Sequence, residues 1–83
     1  MTAKEMLEKI GYKDLIVHES YMFYIKELKE NAEYENDEIH LEFNFVNKTV
    51  CKTYGDDNTA CGITLNELKA INKQIEELGW NNE

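Results

Sequence analysis

From Ile39 to Phe45 the chain alternates strictly: Ile39, Leu41, Phe43 and Phe45 take one parity, and His40, Glu42 and Asn44 the other. A period of two predicts a strand with one buried and one solvated face. Val46-Asn47-Lys48 makes a tight connection, and Thr49 to Tyr54 returns as the second strand of a hairpin. Upstream, Leu15-Ile16-Val17 is an apolar run of strand length. From Tyr21 to Leu28, Tyr21, Phe23 and Ile25 alternate with Met22, Tyr24 and Lys26, and the aromatic and β-branched content favours a strand. Gly55-Asp56-Asp57-Asn58 is turn chemistry, after which Ala60 to Ile63 suits a short edge strand.

The period changes at both ends. Thr2 and Glu5 form the sequence signature of a capping box, and Met6, Leu7 and Ile10 share one helical face. The second helix has the same signature at Thr64 and Glu67, with Ile63 placed to staple onto Leu68. Leu68, Ile71, Ile75 and Leu78 form its apolar stripe. Each helix closes on a glycine followed by an aromatic that folds back one turn: Tyr12 onto Leu7, and Trp80 onto Ile75. The expected fold is α+β: a short N-terminal helix, an antiparallel sheet of three to four strands and a C-terminal amphipathic helix. Both helices are expected on one sheet face, within one domain spanning residues 1–83.

Charge narrows the function. Seventeen acids against nine bases give a net charge of −8, and all nine bases are lysine. Nucleic-acid binders present a basic face, usually with arginine, so direct nucleic-acid binding is not expected, nor is an anionic membrane surface. No stretch approaches the ~20 apolar residues of a membrane span, and no signal peptide is evident, so the expected location is cytoplasmic.

Candidate chemistry is sparse. His18, His40, Cys51 and Cys61 lack the close spacing of a zinc site, although His40 and Cys51 lie on hairpin partners and can approach. In a cytosolic setting both cysteines are expected to be reduced thiols. Asp56-Asp57-Asn58 lacks the later glutamate that a calcium loop needs. His18 and Ser20 lie two apart, without an oxyanion loop or an orienting acid, and no phosphate-binding glycine motif is present. No enzymatic activity, cofactor or metal is expected. Two surfaces stand out instead. One is the sheet face away from the helices, expected to show Tyr24, His40, Glu42 and Lys52. The other is the acidic stretch from Glu27 to Glu38, read as a solvated loop containing Glu30, Glu33 and Glu35.

Leu7-Glu8-Lys9-Ile10-Gly11-Tyr12, the hairpin from Leu41 to Val50, and Leu65 to Trp80 (with Ala70 to Trp80 reading A-I-N-K-Q-I-E-E-L-G-W) span most of the chain. Together they resemble a group of small, uncharacterised phage- and prophage-encoded proteins of low-GC Gram-positive bacteria, the Firmicutes. The resemblance is weakest from Glu27 to Asp37, which is longer and more acidic here. Because these motifs are caps and core positions, the resemblance implies a context rather than catalytic residues: a cytoplasmic accessory protein of a mobile element in a bacterial host. The expected function is non-enzymatic, through binding another protein or self-association. The alternative is an acidic mimic of nucleic acid that inhibits a host DNA- or RNA-processing enzyme.

Overall fold

The computed structural model describes residues 1–28, 38–55 and 59–80. These form α1 (Ala3–Lys9), β1 (Asp14–Val17), β2 (Tyr21–Glu27), β3 (Glu38–Asn44), β4 (Thr49–Tyr54), β5 (Thr59–Ala60) and α2 (Leu65–Leu78). The strands pair antiparallel in one sheet of order β1-β2-β3-β4-β5, a meander. The α+β class is as expected, but among the described residues the sheet has five strands rather than three to four. Both short segments read as strands join the sheet at its edges, β1 over Asp14–Val17 and β5 over Thr59–Ala60 rather than Ala60 to Ile63. Glu30, Glu33, Glu35, the turn at Asp56-Asp57-Asn58 and the tail at 81–83 lie outside the described residues.

Both capping boxes form. Thr2 Oγ1 accepts from the Glu5 amide while Glu5 Oε1 accepts from the Thr2 amide, at 3.2 and 2.8 Å. At α2, Thr64 Oγ1 accepts from the Glu67 amide at 3.1 Å and Glu67 Oε1 accepts from the Thr64 amide at 2.9 Å. After α1 the chain turns through Gly11 at φ 108°. The Gly11 amide donates to the Glu8 carbonyl and the Tyr12 amide to the Leu7 carbonyl, which closes a Schellman motif. This turn sends the Tyr12 side chain into the core beside Leu7. Gly79, at φ 77°, ends α2, and Trp80 packs partly buried against the same core.

Register assigns the two sheet faces. Met22 lies opposite Phe43, which lies opposite Val50; Tyr24 lies opposite Leu41, which lies opposite Lys52. Met22, Tyr24, Leu41 and Phe43 are buried in one cluster with Leu7, Tyr12, Ala70 and Ile71. Both helices therefore cover this face, and the Ala3 amide ties them together by donating to Glu77 Oε2 at 2.8 Å.

The buried side of α2 differs from the expected stripe. It consists of Glu67, Ala70, Ile71 and Gln74, with Ile75 and Leu78 packed partly buried beside it. Leu68 is 44% exposed and is not a core residue. Polar residues hold the inner positions because each has a buried partner. Lys52 Nζ meets Glu67 Oε1 at 2.8 Å and also donates to the Gly62 carbonyl at 2.8 Å. The Tyr12 hydroxyl donates to Glu67 Oε2 at 2.8 Å, and the Tyr24 hydroxyl donates to Gln74 Oε1. Burial alone pushes the Glu67 carboxyl up. The Lys52 ammonium, the Thr64 amide and the Tyr12 hydroxyl more than offset that, and hold it below the ordinary carboxylate range. Burial also raises the Tyr24 hydroxyl, to about 12, helped by the charges of Glu77 and Glu8.

Ile71→Ala should lower stability by about 2–5 kcal/mol, because Ile71 is only 4% exposed. Leu68→Ala should lower it by about 1 kcal/mol or less, since much of that side chain is already in water. Urea unfolding of the two variants checks the order; equal losses would place Leu68 in the core.

Candidate interaction surface on the open sheet face

The opposite face of the sheet carries no helix among the described residues. Following the register, its rows are Tyr21, Asn44 and Thr49; Ile16, Phe23, Glu42 and Cys51; Asp14, Ile25, His40 and Thr53; and Glu27 with Glu38. Two of the four residues expected here are present, His40 and Glu42. Tyr24 and Lys52 are not: both point to the covered face and are buried. In β2 both parities are largely apolar, so alternation alone does not say which side is covered. Pairing with Leu41 and Phe43 decides it for Met22 and Tyr24, and Lys52 follows because it lies opposite Leu41.

The face instead presents a row of near-parallel rings. His18 stacks on Tyr21 with centroids 4.5 Å apart, and Phe23 stacks on His40 at 5.1 Å. Tyr21 and Phe23, 6.1 Å apart and inclined by 15°, join the two pairs. The turn between β1 and β2 places His18 by donating the His18 amide to the Tyr21 carbonyl at 2.7 Å. The Ser20 carbonyl accepts from the Phe45 amide at 2.9 Å, which fixes the neighbouring hairpin against this turn. His18 is thus part of the aromatic row.

Beside the row lies a shallow depression of about 440 Å³, lined by Tyr21, Phe23, His40, Glu42, Cys51 and Thr53. Tyr21, Phe23, Cys51 and Thr53 are additions to the expected site. The two aromatics share the parity opposite to Met22 and Tyr24, and only the pairing with β3 shows that this parity lies on the open face.

The electrostatics of this face are one-sided. Asp14, Glu27, Glu38 and Glu42 occupy its register positions, and no lysine does so among the described residues. Lys26 and Lys52 belong to the covered side. Glu27 and Glu38 sit directly opposite each other, an unfavourable pairing of like charges. Each finds partial relief elsewhere: Glu27 lies 4.0 Å from Lys13, and Glu38 lies 3.2 Å from His40 Nε2.

Cys51 and Cys61 are free thiols. Cys51 lies opposite Glu42 on the open face, whereas the Cys61 amide donates to the Lys52 carbonyl at 3.1 Å. His40 and Cys51 both line the depression, but the register sets His40 opposite Thr53 and Cys51 opposite Glu42, and no group of three or more side chains that could hold a metal ion is present among the described residues. No described helix is long and apolar enough to cross a membrane. The sequence matches no protein-family model and no curated protein, and the fold matches no solved structure.

Proposed function

We propose that this protein is a non-enzymatic binding module whose open sheet face docks a basic surface of another protein. One observation carries the reading: among the described residues, an aromatic row flanked by carboxylates lies on a sheet face that carries no helix and no lysine. Aromatic rings supply rigid contact area, and the carboxylates select positive charge. Self-association through two copies of this face is disfavoured, because it would set Glu38 and Glu42 against their own kind in a chain of net charge −8. The resemblance to phage and prophage proteins supports an accessory role in the cytoplasm of a low-GC Gram-positive host. A second reading, inhibition of a DNA- or RNA-processing enzyme by mimicry of nucleic acid, draws on the same one-sided charge.

The test is capture of partners from such a host by the tagged protein, beside its Glu42→Lys variant, over a salt series. The proposal expects basic partners that the variant loses and that leave as salt rises from ~0.05 to ~0.2 M. Capture unchanged by Glu42→Lys would refute the open face as the binding surface. Competition by added duplex DNA would select the mimicry reading.

A further inference from the structure

We infer that the depression on the open face is an anchor site for an arginine side chain of the partner. This inference rests on the reading of that face as a surface for a basic protein, and it names the group that is recognised. Three features meet there. Phe23 and Tyr21 line the depression, their rings held in place by stacking with His40 and His18. Glu42 is half-buried in the middle strand of the sheet, and no hydrogen bond or ion pair engages its carboxylate among the described residues. The depression, about 440 Å³, is wide enough to admit a long side chain.

A guanidinium matches these features better than an ammonium does. It is planar, so it can lie against a ring while its fork of N–H donors pairs with a carboxylate. It is also more weakly hydrated than an ammonium, so bringing it against Phe23 forfeits less solvation. Aromatic side chains on an open sheet can also stack nucleic-acid bases, but such sites are accompanied by a basic groove for the phosphates. Here Glu38 and Glu42 occupy that ground, which repels phosphate and retains the cation. The chain contains no arginine, so a second copy cannot supply the anchor.

Hexa-arginine and hexa-lysine peptides carry the same charge and differ in the head group. Each would be titrated into the isotope-labelled full chain at equal ionic strength, with amide shifts followed by NMR. The expected result is a set of shifts centred on Phe23, His40, Glu42 and Cys51, with hexa-arginine bound about tenfold more tightly at those positions. Glu42→Gln, which keeps the side-chain shape, should erase most of that preference while leaving the α2 resonances in place. Equal affinity of the two peptides at the open face would overturn the arginine anchor and leave the basic-partner reading standing. Shifts confined to other surfaces, with the open face silent for both peptides, would overturn both.

Discussion

Lys52→Met is expected to destabilise the protein by about 3–5 kcal/mol, a large part of the ~5–15 kcal/mol that a small domain possesses. Methionine roughly fills the space of the lysine stem but brings no ammonium. Glu67, 2% exposed, would keep its charge with only the Thr64 amide and the Tyr12 hydroxyl to hold it. The Gly62 carbonyl would lose its donor at the same time. Urea unfolding near pH 7 measures the loss, and the pH dependence identifies its cause. In the parent protein the Glu67 carboxyl sits below its ordinary value of 4.5. Its contribution is therefore fully present above that value and is lost as the pH falls through the lowered one. Removing Lys52 takes away an ammonium that offsets burial and so favours the protonated acid more than in the parent, and acid should narrow the gap between variant and parent. A gap that is constant with pH would mean that Lys52 acts through packing alone.

Phe43→Ala should be comparably severe, at about 3–5 kcal/mol. Phe43 is fully buried where the sheet meets the helices. Its ring lies 6.1 Å from that of Tyr24, edge to face, and 6.4 Å from that of Trp80. Truncation therefore opens a cavity and removes two aromatic contacts together. Trp80, the sole tryptophan, gives an independent readout, because its emission should shift toward that of a solvated indole. Phe23→Ala, on the open face, should cost about 1 kcal/mol. A larger loss from Phe23→Ala than from Phe43→Ala would mean that the faces have been assigned the wrong way round.

Much of this arrangement was legible in the sequence wherever a local rule is strong. Thr2 with Glu5 and Thr64 with Glu67 announce both helix starts, and both boxes form. Gly11 and Gly79 announce both stops. The alternation from Ile39 to Phe45 shows which side of β3 faces the core, since Leu41 and Phe43 are buried. The less legible parts depend on pairing between segments. Tyr21 to Ile25 is apolar on both parities, so the covered side becomes known only once Tyr24 is set opposite Leu41. Lys52 reads as a surface lysine until the hairpin register, with Asn44 opposite Thr49, places it opposite Leu41 as well. Glu67 then does double duty, as capping partner of Thr64 and as counter-ion of Lys52, and this draws a polar residue to the inner side of α2. Leu68, which hydrophobicity alone would bury, is left toward solvent. The same register moves Tyr24 and Lys52 off the open face and leaves Tyr21 and Phe23 on it.

Hydroxyl-radical footprinting of the tyrosines and phenylalanines reads this division of faces directly, first on the free protein and then with a captured partner. The account predicts that Tyr21 and Phe23 oxidise readily in the free protein while Tyr12, Tyr24 and Phe43 are protected, and that a bound partner protects Tyr21 and Phe23 in turn. Oxidation of Tyr24 as fast as Tyr21, or a bound partner that leaves Tyr21 and Phe23 fully reactive, would contradict it.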